Sequence, residues 1–158
     1  MKVALPTALL LFLLDQATKF WALARLRPGV PVPVFDAFFH LTLVFNPGVA
    51  FGFLGSVEPP WRWLVGLLAL AALAVLGSFA VRLLPDGNWL TAVALGLIFG
   101  GAVGNLVDRL RFGAVVDFLD FHWRGYHWWT FNLADSGISV GVGVLVLYFL
   151  VIHRRGGA

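Results

Sequence analysis

Residues 63–81 and 89–107 contain no charged side chain, and residues 133–152 contain only Asp135. An α-helix needs about 20 mostly apolar residues to cross a bilayer. Runs of this length rule out most soluble folds and make membrane helices the first reading. A fourth stretch, residues 4–24, is equally apolar apart from Asp15 and Lys19. The chain is 60% hydrophobic and 12% charged, with a mean hydropathy of +0.90. Soluble domains carry roughly 25% charge. The predicted fold is a membrane all-α bundle of four transmembrane helices at about 4–24, 62–81, 89–107 and 133–152. It forms one polytopic domain over residues 1–158.

The N-terminal run resembles a signal peptide at first sight, with Lys2, an apolar stretch and then Ala22-Leu23-Ala24. A cleavable apolar core is about 7–15 residues long. This one is longer and holds Asp15 and Lys19, so it reads as a retained first helix. Pro85-Asp86-Gly87-Asn88 marks a tight turn between the second and third spans.

Residues 28–60 differ in kind. Pro28, Pro31 and Pro33 open the segment and Pro59-Pro60 closes it. Between them His40-Leu41-Thr42-Leu43-Val44-Phe45 partly alternates and reads as a strand. The expectation is a small extramembrane β-rich element between helices 1 and 2. Residues 108–132 form a second long connection, which Trp123, Trp128 and Trp129 would hold at headgroup level. Lys and Arg are spread over both sides of the membrane. A plain count favours termini outside, and composition leaves the orientation open.

The basic balance, with a pI near 10, forms no patch or stripe of the kind nucleic acid requires. Cysteine is absent, which removes disulfides and thiolate chemistry. The four histidines lack metal-ligand spacing, and no HExxH occurs. Ser136 and Ser139 have no histidine base in a neighbouring span, so only Lys19 could activate them, and that reading is weak.

Carboxylates carry the remaining chemistry. An ionised Asp at mid-membrane costs about 2.5–3.5 kcal/mol on insertion scales. Asp117 nevertheless sits inside Val115-Val116-Asp117-Phe118-Leu119, and Asp135 opens the fourth span. Two carboxylates sharing one proton can activate a water. Asp135 also has a simpler reading: Asn132 could cap the fourth helix, and an anion in its first turn is favoured by the macrodipole. Asp120 reads as the more solvated neighbour of Asp117 on an adjacent helical face. Asp15 and Lys19, four residues apart on helix one, can neutralise each other. Asn105 and Arg109 share a face at the end of helix three, beside Asp108. Asn46-Pro47-Gly48 is a turn that could present Asn46 and backbone amides to an extended peptide. Gly96, Gly100 and Gly104, with Gly137 and Gly141, are small-xxx-small patterns that would pack the end of helix three near the start of helix four. A small proton-coupled transporter or a structural assembly factor remains compatible with these residues alone.

Five stretches together resemble the lipoprotein signal peptidase family, also called signal peptidase II. They are Asp15-Gln16-Ala17-Thr18-Lys19, Asn46-Pro47-Gly48-Val49-Ala50-Phe51, Gly104-Asn105-Leu106-Val107-Asp108-Arg109, Val115-Val116-Asp117-Phe118 and Phe131-Asn132-Leu133-Ala134-Asp135-Ser136. Val49 departs from the family, which more often has Ala there. The resemblance implies a bacterial inner-membrane aspartyl endopeptidase. It would cleave prolipoproteins before the diacylglyceryl-modified cysteine and release the signal peptide. It implies Asp117 and Asp135 as the catalytic pair. Asn46, Gly48, Asn105, Arg109 and Asn132 would bind substrate or shape the cleft, and Asp15, Lys19 and Asp108 would support them. The implied partners are the lipidated prolipoprotein, membrane lipids and globomycin-type inhibitors, with no nucleic acid, metal or organic cofactor, and the chain is expected to act as a monomer. The resemblance places both termini in the cytoplasm, the β-rich segment in the periplasm and the active site near the outer leaflet.

Overall fold

A computed structural model describes residues 2–48, 62–83 and 88–152. Four α-helices and one small sheet follow in the order α1 (Ala4–Arg25), β1 (Val32–Phe35), β2 (Phe39–Asn46), α2 (Arg62–Leu83), α3 (Trp89–Phe112), β3 (Val115–Trp123), β4 (Tyr126–His127) and α4 (Leu133–Leu147). A π-helical turn, Tyr148–Ile152, continues α4. Three of the described helical stretches, Ala4–Arg25, Trp89–Phe112 and Leu133–Leu150, are long and apolar enough to cross a membrane. The described apolar part of α2 is the shorter Gly66–Ser78. The turn residues 85–87, Val49 and Pro59-Pro60 lie outside the described residues.

α3 is the central helix and packs against α1, α4 and α2. Its glycines permit this. A side chain at Gly100 would meet the backbone of Ala8 on α1, and one at Gly104 would meet the Asp15 carboxylate. Gly96 also faces α1, against Ala4 and Thr7, so the four-residue stripe serves the α1 contact first. Gly101, off that stripe, is the residue that brings α3 against Ala134 at the start of α4.

The sheet corrects the sequence reading. It has four antiparallel strands in the order β1-β2-β3-β4, drawn from both long connections. The 108–132 connection is therefore not a simple headgroup linker. Its run of β-branched and aromatic residues, Val115 to Phe121, supplies the strand β3 that pairs with β2. The β3–β4 hairpin turns on Arg124 (φ 49°) and Gly125 (φ 85°), the left-handed pair that a two-residue hairpin turn requires. β3 also explains why Asp117 and Asp120 do not sit on adjacent helical faces: three residues apart on a strand, they point to opposite sides. Val116 and Phe118 pack with Leu43 of β2, with Ala22 of α1 and with Leu26 just after it in one core cluster. That leaves Asp117 on the other face. Asp120 is buried, not solvated, because Thr42 and His127 close over it.

α3 runs five residues past its expected end, to Phe112. It stops at Gly113, whose φ of 68° allows its N–H to donate to Arg109 O. The polar stretch from Asn105 to Arg109 thus stays helical, and its side chains find partners inside the bundle.

Candidate active site

The polar centre is assembled from five pieces of chain. α1 contributes Asp15, Gln16 and Lys19. The end of β2 contributes Asn46, the end of α3 Asn105, Asp108 and Arg109, β3 Asp117, and the start of α4 Asn132 and Asp135. A single clip brings the last two pieces together. Phe131 O accepts the N–H groups of Phe118 and Leu119, and Phe131 N–H donates to Leu119 O at 3.1 Å. This fixes Asn132 beside Asp117.

Asn132 caps α4 through a capping box. Its side chain accepts the Asp135 N–H at 2.9 Å, and the Asp135 carboxylate accepts the Asn132 N–H at 3.3 Å. The capping reading of Asp135 is therefore correct, but the same residue does more. Asn132 Nδ2 donates to Asp117 Oδ1 at 2.7 Å, so one residue touches both carboxylates. Asn105 joins the chain, donating from Nδ2 to Asp135 Oδ1 at 2.7 Å. Its Oδ1 accepts from Lys19 Nζ at 2.9 Å and from Asn132 Nδ2 at 3.2 Å. An ammonium only donates, so the Asn105 oxygen must face Lys19 and its amide nitrogen must face Asp135. Asn46 Nδ2 donates to the second oxygen of Asp117 at 3.1 Å.

Asp117 is 1% exposed, whereas Asp135 remains partly open. Burial pushes the Asp117 carboxyl up from 3.8 to about 7, and the charge of Asp135 pushes the same way. Hydrogen bonds from Asn46 and Asn132 oppose both. Asp120 contrasts with it. Burial raises that carboxyl, but hydrogen bonds with His127 and Thr42 outweigh burial and hold it below its ordinary value.

A second group of charges lies directly behind. Lys19 Nζ sits 2.9 Å from Asp15 and 2.7 Å from Asp108, all three side chains being buried. The contact with Asp108 was not legible from the one-helix pairing of Asp15 with Lys19. Gln16, which carried no assigned role in the sequence, donates to Asp15, Asp108 and Gly104 O. Its place four residues before Phe20 gives no clue. Only its position inside the Asp15–Lys19 turn, facing the same interior, marks it.

Gly48 N–H donates to Asn46 Oδ1 at 3.0 Å, a local turn that fixes the Asn46 amide. Arg109 ties the same turn to α3, with Nη2 donating to Gly48 O at 2.8 Å and Nη1 to Asn105 O at 3.3 Å. Its Nε is buried and has no partner among the described residues. Every candidate site residue named from the sequence thus falls in one connected polar network. Among the described residues no group of three or more His, Asp or Glu side chains forms a metal-binding set.

Fold and site define a multi-pass helical membrane protein built around a pair of aspartates bridged by asparagine amides. Residues 7–151 match the family model described as signal peptidase (SPase) II. The lipoprotein signal peptidase of Oleidesulfovibrio alaskensis is 47% identical over 135 residues, 85% of each chain. That of Geobacter sulfurreducens is 45% identical over 144 residues, 90% of this chain and 88% of the relative. That of Symbiobacterium thermophilum is 40% identical over 157 residues, 99% of each. A bacterial membrane enzyme solved by the in meso method at 2.3 Å superposes with a TM-score of 0.80 at 28% identity, covering 95% of this chain and 88% of the other. The chain belongs to the signal peptidase II family, the aspartic peptidases that remove signal peptides from prolipoproteins.

Proposed function

We propose that Asp117 and Asp135 are the catalytic pair. On this reading they cut the prolipoprotein just before its diacylglyceryl-modified cysteine. The observation that carries this is the bridge through Asn132, which holds both carboxylates while neutralising neither. A carboxyl with a pKa of about 7 holds its proton near neutral pH, which suits Asp117 to the acid role. Asp135, partly open and accepting N–H bonds from Asn105 and Asn132, suits the base role.

In the first step Asp135 takes a proton from water as the water oxygen bonds to the scissile carbonyl carbon. Asp117 gives its proton to the carbonyl oxygen, leaving a neutral diol. The diol then collapses: the C–N bond breaks, Asp135 passes its proton to the amine, and Asp117 regains one from the diol. Both carboxyls end as they began. Asn46, Asn105 and Asn132 keep the two groups oriented. Arg109 Nε, which has no partner among the described residues, is a donor for a backbone carbonyl of the bound peptide.

The remaining assignments rest on membership of the family. The domain is a single membrane unit over residues 1–158, with α2 as the fourth span. Its termini face the cytoplasm of a bacterial cell, the helices cross the inner membrane and the pair lies near the outer leaflet. A signal peptide is itself an apolar helix, so its cleavage site reaches such a pair laterally from the lipid. Globomycin-type inhibitors would compete there. The test is turnover of a lipidated prolipoprotein by purified Asp117→Asn and Asp135→Asn variants. Both should fold and neither should cleave, and near-normal cleavage by either rejects the pair.

A further inference from the structure

The residues immediately before the two proposed catalytic aspartates are held in the same way. The N–H of Ala134, which precedes Asp135, donates to Asp15 Oδ1 at 3.0 Å. The N–H of Val116, which precedes Asp117, donates to Asp108 Oδ2 at 3.1 Å. These backbone groups belong to α4 and β3, and their acceptors belong to α1 and α3. One cation joins the acceptors, since Lys19 Nζ contacts Asp15 Oδ2 at 2.9 Å and Asp108 Oδ2 at 2.7 Å. Its third contact, at 2.9 Å, is Asn105 Oδ1, whose amide orients Asp135. An ammonium has three N–H donors, and all three are committed.

We propose that Lys19 is a positioning residue that sets the separation and orientation of Asp117 and Asp135, acting through Asp108 on one, Asp15 on the other and Asn105 on the second again. The inference rests on the reading of those two aspartates as the catalytic pair. Two physical arguments support it. Backbone N–H groups held by carboxylates make charge-assisted bonds, shorter and about twice as strong as neutral ones. They suit a device that must fix a strand and a helix against each other. A buried ion cluster, moreover, is weak evidence for stability, because desolvation offsets most of its attraction. Three buried ions therefore call for a role other than holding the fold, and the position of both N–H donors one residue before the aspartates supplies it. Neither Asp15 nor Asp108 has to touch the substrate for this. A displacement of about 1 Å at the reacting groups costs on the order of 10²-fold in rate.

The experiment compares Asp108→Ala with Asp108→Asn in the full-length purified protein, using a diacylglyceryl-modified prolipoprotein and measuring kcat, KM and Tm. Asn retains an acceptor for the Val116 N–H and Ala does not. The expected result is a fall in kcat of roughly 10–10²-fold for Asp108→Ala at nearly unchanged KM. Most of it should be recovered in Asp108→Asn, whatever the two Tm values are. Lys19→Met should lose at least as much kcat as Asp108→Ala. If it does not fold, the Asp108 comparison decides. Wild-type kcat in Asp108→Ala, or no recovery in Asp108→Asn, overturns the proposal. The Asp117→Asn control separates the two claims. If it is inactive while Asp108→Ala is normal, only the positioning role fails. If it cleaves, the pair fails and the positioning role with it.

Discussion

Two groups of buried aspartates lie side by side in this bundle and are treated in opposite ways. Asp15 and Asp108 share the Lys19 ammonium and accept backbone N–H bonds, so their charge is compensated directly. Among the described residues, Asp117 and Asp135 receive amide N–H groups alone, from Asn46, Asn105 and Asn132. A cation at contact distance holds a carboxylate in place through short charge-assisted bonds. An amide orients a carboxylate yet leaves it free to hold or release a proton. The first arrangement builds a fixed frame and the second leaves a movable proton inside it.

The strongest way to break this contrast is to remove a carboxyl from the second group. Asp117→Asn and Asp135→Asn should each lower turnover by about 10²–10⁴-fold or more, the range of one general acid–base step. Cleavage assays on folded protein check this. Asn132→Ala should come next. It removes the bridge and the α4 cap together, with about 10–10²-fold lost in kcat and about 1 kcal/mol in stability. Asn132→Asp keeps a capping oxygen but adds a third carboxylate, so Tm should largely recover while activity should not.

The pH dependence sharpens the same contrast. With its carboxyl near 7, Asp117 loses its proton as pH rises through neutrality, and kcat should fall on that limb if Asp117 is the acid of the proposed pair. Stability has its own sign. The folded state holds the Asp117 proton up to about 7, whereas the unfolded chain releases it near 3.8. Between those values the folded state binds more protons, so stability falls as pH rises. Asp117→Asn removes that loss. It should raise Tm by several degrees above neutral pH and flatten the pH dependence between about 4 and 7. The smallest effect belongs to Asp120. Its bonds to Thr42 and His127 lie on the opposite face of β3, so Asp120→Asn should change turnover by less than about two-fold and stability by about 1 kcal/mol.

The helices were largely legible, because charge-free runs and small-residue spacing have few other readings. Asn132 as a cap was legible too, since its chemistry is local. The sheet was not. β2 and β3 are separated by α2 and α3, and a one-residue bulge between Leu41 and Val44 breaks the alternation that would have announced their pairing. Reading Val115–Phe121 with a helical period then misplaced Asp120. The contacts of Lys19 with Asp108 and Asn105 were hidden for the same reason. An i,i+4 pair is visible in one helix, whereas a cation shared between two helices depends on packing that Gly100 and Gly104 permit without specifying.

The central claim is that Asp117 holds a proton near neutral pH because it is buried beside the charge of Asp135. An isotope-edited infrared titration of aspartate carboxyls in the full-length protein, in lipid, measures this directly. The expected result is a protonated carboxyl that titrates with a midpoint near 7, disappears in Asp117→Asn and moves to lower pH in Asp135→Asn. A spectrum with no protonated aspartate above about pH 5, or a midpoint indifferent to Asp135→Asn, would contradict it.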